Sequence, residues 1–155
     1  EISLGLVGSE MCIRDRMKDD CIFCKLANGV FKTNTVYEDE DFRVILDASP
    51  AAKGHSLVIP KSHFDNALTA DEKVLGKAMN VAAKTGRALM KTFGCDGINI
   101  VQNNGEAAGQ TVFHLHLHVI PRYKDDNIGI TWTPGSDTDE NFADTAKLIA
   151  EKFEK

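Results

Sequence analysis

From Gln110 to Arg122 the chain reads QTVFHLHLHVIPR, with His114, His116 and His118 at alternate positions and Leu115, Leu117 and Val119 between them. Strict alternation of two residue classes has a period of two, the period at which side chains of an extended strand change face. The run predicts a strand over Val112–Ile120, its aliphatic residues toward a core and its three imidazoles together on the other face. Neighbouring imidazoles would then stand roughly 6–7 Å apart and the outer pair roughly 13 Å. One ion could gather all three only through unusual rotamers, so a three-histidine metal site built from this strand alone is not expected. The competing reading is a solvated strand face that happens to be rich in histidine.

The rest of the chain supplies the partners for such a strand. Val36–Glu38, Phe42–Asp47, Ser56–Pro60 and Ile98–Val101 read as strands, with the acidic run EDED as a solvated turn between the first two. Cys21–Asn28 reads as one or two helical turns ended by Gly29. Thr69-Ala-Asp-Glu72 has the form of a capping box. It opens a long amphipathic helix that runs to about Thr92 and stops before Gly94. Ser136 and Asp137 can cap a last helix with the apolar stripe Phe142, Ala146, Ile149 and Phe153. Met79 and these aromatic stripe residues are expected in the core. The order of elements predicts an α+β fold: a five-stranded, mostly antiparallel sheet with one long central helix and a C-terminal helix.

With 155 residues the chain fits one domain with a substantial core. Its net charge of -5 excludes a general affinity for nucleic-acid backbones, which need a basic surface. A small nucleotide is still compatible, because backbone N–H groups and a few polar side chains can hold one phosphate. No apolar run reaches membrane-spanning length, so a soluble protein without a membrane partner is expected. Residues 1–16, EISLGLVGSEMCIRDR, do not have the pattern of a signal peptide and are read as a non-native extension or sequence artefact. Residues 17–155 are then a single domain. Without an export signal, Cys21, Cys24 and Cys95 are expected in the reducing cytoplasm. Cys95, beside Gly94, reads as a small buried residue.

The five histidines occur in only two places: the alternating run, and His55 and His63 on either side of SLVIPKS. His55 and His63 lie at opposite ends of one strand, which points to two separate sites. Cys21-Ile-Phe-Cys24 is half of a tetrahedral zinc site that two histidines could complete, the alternatives being a redox dithiol or two buried thiols. The second site has the glycine-rich approach NNGEAAGQT directly before the histidines. There Gly109 lets the backbone approach an anion, and Gln110 and Thr111 supply donors.

These residues carry a family resemblance. His114-Leu-His116-Leu-His118-Val-Ile is similar to the His-φ-His-φ-His-φ-φ motif of the histidine triad (HIT) superfamily. CIFCKLANG, VILDASPAAKGHSLVIPKSH and NNGEAAGQTVFHLHLHVIPR resemble Hint-type members with a C-x-x-C zinc motif, in order and spacing, over most of Met17–Arg122. The resemblance implies catalytic roles for His116, His118, His55 and His114. His116 would attack the α-phosphorus of a purine nucleotide and carry a nucleotidyl-histidine intermediate; His118 and His55 would contact the phosphate and the leaving group. It further implies that Asp47 binds the ribose hydroxyls, that Asn103, Gly109, Gln110 and Thr111 contact phosphate, and that Ile22, Phe23, Leu26 and Ile45 form the base slot. Structural zinc would be held by Cys21, Cys24, His63 and His114, with no organic cofactor. The implied assembly is a homodimer joined across the long helix and Ile98–Val101.

The implied activity is hydrolysis of purine nucleoside phosphoramidates, with diadenosine polyphosphate hydrolysis of the Fhit type as the alternative. Two other readings compete. A metal hydrolase would use zinc to activate water and would form no covalent nucleotide. A non-catalytic nucleotide sensor would keep the scaffold without the reaction.

Overall fold

The computed structural model describes residues 16–154, so the expectation about the first sixteen residues falls, except for Arg16, outside the described residues. Arg16 is docked on the domain, its carbonyl accepting from His63 N–H at 2.7 Å. The elements in chain order are α1 (Ile22–Ala27), β1 (Thr35–Glu38), β2 (Phe42–Leu46), β3 (Ser56–Pro60), α2 (Glu72–Phe93), β4 (Gly97–Val101), a 3-10 turn (Glu106–Ala108), β5 (Leu117–Arg122) and α3 (Asp139–Glu151). The strands form one sheet in the order β1-β2-β3-β5-β4, and every neighbouring pair is antiparallel.

β3 explains the layering. Its run SLVIP is buried at every position, as a central strand covered on both faces must be. Val58 packs with Phe42, Val44, Leu117 and Val119 under the apolar face of α2. Leu57 and Ile59 point the other way, to Ile45 and Ala27 with Phe23 and Leu26 of α1. The sheet thus lies between a long helix and a short one, and the side bearing α1 is the side that carries the histidines.

The alternation in the histidine run assigns faces correctly, since Leu115, Leu117 and Val119 all belong to the α2 core. Its strand boundaries differ from Val112–Ile120, because ladder pairing begins only at Leu117 and continues to Arg122. The N–H of Leu115 is taken instead by the Phe64 carbonyl at 2.6 Å, which ties this segment to the connection after β3.

Both long-helix caps also differ in detail. Asp71, not Thr69, caps α2, its carboxylate accepting from Val74 N–H at 2.8 Å. The hydroxyl of Thr69 is engaged in a local turn with Asn66, and a carboxylate at the helix start has the added attraction of the macrodipole. In α3 the cap is Thr138 rather than Ser136 or Asp137, its hydroxyl accepting from Asn141 N–H at 3.1 Å.

Expectations of burial fail at Met79 and on α3. Met79 lies on the outward side of α2 and is 52 % exposed. No residue of α3 is buried, and Phe142, Ile149 and Phe153 are all exposed. Periodicity in the helix reported that a stripe exists, whereas only tertiary packing decides what covers it. Asp39 in the acidic turn is more than solvated: its carboxylate accepts from the N–H groups of Asp41 and Phe42 at 2.8 Å and closes the hairpin. Among the described residues no helix is long and apolar enough to cross a membrane.

Candidate active site and metal centre

Two groups of side chains stand on the α1 side of the sheet. The first forms around α1. Cys21 caps this helix and Cys24 follows one turn later, so both Sγ atoms face the same way. His114 Nδ1 lies 3.4 Å from each Sγ, His63 Nδ1 lies 3.3 Å from Cys24 Sγ, and the two Nδ1 atoms are 3.2 Å apart. All four ligating atoms fall within 4.8 Å of one another. A tetrahedron with bonds of about 2.0–2.3 Å has edges of about 3.3–3.8 Å, close to these separations.

Hydrogen bonding fixes the tautomers. His114 Nε2 donates to the Pro60 carbonyl at 2.8 Å, and His63 Nε2 donates to the Asp65 carboxylate at 2.9 Å. Both Nδ1 lone pairs therefore point into the group, the form a metal requires, with the outer nitrogens oriented as in known metal-binding histidines. Burial pushes the Cys24 thiol up to about 11 and the His114 imidazole down to about 4. Both shifts disfavour charge on the isolated groups, and a bound dication would supply the compensation. The four residues fit a closed, structural zinc site in ligand type, tautomer and spacing.

The second group, Asp47, His55 and His118, is as compact: His55 Nε2 lies 3.0 Å from His118 Nδ1 and 3.5 Å from Asp47 Oδ2. Its chemistry is different. The N–H of Ala51 donates to His55 Nδ1 at 3.0 Å, so the ring proton sits on Nε2 and no lone pair is left there for a metal. His55 instead donates to His118 Nδ1. This in turn places the His118 proton on Nε2. Gly54 lets His55 sit where it does: with φ at +95°, a Cβ there would come within 2.5 Å of the Phe93 ring.

His116 lies between the two groups. Its Nδ1 donates to the His114 carbonyl at 2.6 Å, leaving the Nε2 lone pair free. Burial lowers the pKa of His116 and takes His118 down to about 4, with His116 and His55 adding to the second shift. Both imidazoles are neutral at pH 7.

A cleft of 590 Å³ opens over His116 and His118. Phe23, Leu26, Ile45 and Leu57 are among its apolar lining residues, and Asp47, Ser49, Asn103, Gly109 and Thr111 lie along it as well. That volume suits a mononucleotide-sized ligand.

Most residues singled out in the sequence meet here, but four take other positions. Gln110 is buried and does not line the cleft; its Oε1 accepts from Gly105 N–H at 2.8 Å and its Nε2 donates to the carbonyls of Asp65 and Val112 at 2.6 and 3.0 Å. It holds the loop from behind, leaving no donor for a phosphate. Ile22 is exposed and does not line the cleft, whereas Phe23 and Leu26 of the same helix do. His55 is buried behind His118, and His114 faces the cysteines. Sequence reasoning missed Lys32, Thr33 and Asn34, which line the cleft beside Leu46. It also missed Asp65, although its spacing of two from His63 was a signal.

Fold and site together define an α+β protein with a histidine-lined cleft beside a separate Cys/His group. Residues 28–125 match the family model described as the HIT domain, and the chain belongs to this family. Protein hit of Bacillus subtilis (strain 168) is 42% identical over 120 residues, 77% of this chain and 83% of that protein. Adenylylsulfatase HINT3 of Arabidopsis thaliana is 36% identical over 126 residues, 81% of this chain and 64% of that protein. Among solved structures, a HIT family protein from Bacillus anthracis aligns with a TM-score of 0.82 at 40% identity, covering 89% of this chain and 100% of that one. A Zn-bound histidine triad family protein from Mycobacterium smegmatis aligns with a TM-score of 0.68 at 36% identity, covering 85% and 97%.

Proposed function

We propose that the protein is a nucleotide hydrolase acting at the α-phosphate, with purine nucleoside phosphoramidates as its substrates. The observation that carries this reading is the hydrogen-bonding state of the histidines. His116 holds its proton on Nδ1 against the His114 carbonyl, which leaves Nε2 as a neutral nucleophile in the cleft. Beside it, at 5.0 Å between ring centroids, His118 has its proton on Nε2. In the first step Nε2 of His116 forms a bond to the α-phosphorus as the phosphorus–nitrogen bond breaks, and the amine departs with a proton taken from solvent while the His118 Nε2–H hydrogen-bonds a phosphate oxygen. Water then bonds to the phosphorus as the bond to His116 Nε2 breaks, its proton returning to solvent, which releases the nucleoside monophosphate and restores neutral His116.

Asp47 at the cleft suits ribose hydroxyls, Asn103, Gly109 and Thr111 suit the phosphate, and Phe23, Leu26 and Ile45 suit a flat base. The name of the Arabidopsis relative supports chemistry at an adenylyl group, there with sulfate as the partner. Zinc in the Cys21/Cys24/His63/His114 group would act as a structural brace, with no organic cofactor. We read residues 17–155 as one domain working in the cytoplasm. Its partner would be a second copy, joined across α2 and the free edge of β4, where Met79, Met90 and Ile100 are exposed.

The test is steady-state turnover of adenosine 5′-phosphoramidate against diadenosine triphosphate, with His116→Ala as control. Preference for the phosphoramidate, abolished in the variant, is the expected result. Unchanged turnover in the variant would end the covalent mechanism, and preference for the dinucleotide would move the substrate assignment to dinucleoside polyphosphates.

A further inference from the structure

The Cys/His group and the cleft share structural members. One is α1, where Cys21 and Cys24 turn their Sγ atoms to His114 while Phe23 and Leu26 line the cleft. The ring of Phe23 stands edge-on to His116, with centroids 4.8 Å apart and planes at 82°. A helix of six residues has no independent packing for each side, so a displacement of α1 moves both. The other shared member is His114, whose Nδ1 belongs to the group and whose carbonyl holds His116 at 2.6 Å. The outermost contact is Asp65, which fixes the ring of His63, is 56% exposed at its side chain, and does not line the cleft.

We propose that the metal centre and the cleft are a thermodynamically linked pair: zinc in the Cys/His group tightens the binding of a nucleoside monophosphate, and the nucleotide tightens zinc. Phe23 and Asp65 are positioning residues for this linkage. The proposal rests on the nucleotide reading of the cleft given above. Without a cation, α1 is held to His63 and His114 by thiol contacts, which are weak hydrogen bonds. Bonds from Cys21 and Cys24 to an ion also held by His63 and His114 would fix the helix, and with it the Phe23–Leu26 wall. Nucleotide binding to the fixed wall then costs less ordering entropy, and linkage requires the effect to be reciprocal.

The experiment measures AMP affinity by calorimetry on zinc-loaded and EDTA-stripped protein, and zinc affinity by competition with a chromophoric chelator, with and without saturating AMP. The two ratios are expected to agree and to exceed about 5-fold. Asp65→Ala should weaken zinc by about 10–100-fold. At zinc levels that saturate only the wild type, it should also weaken AMP, and added zinc should restore AMP binding, which a merely structural role would not produce. Phe23→Leu keeps an apolar wall but should reduce the ratio toward unity. AMP affinities equal within about two-fold in the loaded and stripped forms would overturn the linkage alone. Loss of the helical circular dichroism signal on stripping would overturn it too, since folding would then be the coupled event. Absence of AMP binding to either form would remove the nucleotide reading, and the proposal with it.

Discussion

Metal-free protein unfolded with urea at a series of pH values should lose stability steeply between pH 6.5 and 4. His114 is fully buried, and burial takes its imidazole from the ordinary 6.5 down to about 4. His118 falls to a similar value, through burial first and then through His116 and His55. In the unfolded chain both groups titrate near their ordinary value of about 6.5. Within the window the unfolded chain binds protons that the folded chain does not, so stability increases with pH. The contribution is complete above the unfolded value and is lost as pH falls toward the folded one. Each histidine adds a slope of about 1.4 kcal/mol per pH unit, so the pair gives about 2.7, and His114 alone integrates to about 3 kcal/mol. That is a large share of the roughly 5–15 kcal/mol typical of a domain. His55 and His116 are lowered as well and act in the same direction. Carboxylates with depressed pKa, such as Asp39 and Asp126, contribute only as pH falls below about 4, which keeps the two effects apart. His118→Gln should remove one proton's share of the slope. A wild-type slope under about 1 kcal/mol per pH unit between pH 4.5 and 6 would refute the account of these histidines as buried and neutral.

Gln110→Ala should lower the urea-derived stability by about 1–3 kcal/mol, because it leaves buried partners on the Gly105, Asp65 and Val112 backbone unsatisfied. Thr111→Ala, by contrast, should weaken AMP binding with little change in stability; the reverse pattern would restore Gln110 to the phosphate site. Met79→Glu should shift sedimentation toward the monomer while circular dichroism stays unchanged, and a dimer that survives it would place the contact elsewhere.

What could be read from the chain depended on whether a pattern was local. The two faces of the histidine run follow from a backbone period of two, so Leu115 and Leu117 lie in the core as expected. The position of His55 and His63 around one strand announced two sites, and the structure brings them to separate groups. Gln110 could not be read this way, since one of its partners, the Asp65 carbonyl, comes from a distant segment and only the folded chain shows that its amide is fully engaged. The same holds for α3, whose amphipathic pattern says nothing of what lies against it. Thr69 and Asp71 were both competent caps, and the choice was settled by the turn that Asn66 makes with Thr69. Tautomers were beyond sequence altogether. The Ala51 N–H that excludes a metal from His55 is visible only as geometry.

β3 has a consequence for how this chain can vary. The strand is five residues long, it leaves His55 at one end and leads to His63 beyond the other, and its odd-numbered residues Leu57 and Ile59 face α1 while Val58 faces α2. It is a spacer with a fixed parity. Inserting or deleting one residue would invert everything on one side of the change, presenting an apolar side chain where a histidine belongs and turning one of the two groups into the α2 core. Substitutions that keep bulk and apolarity can be absorbed along SLVIP, but changes in its length cannot.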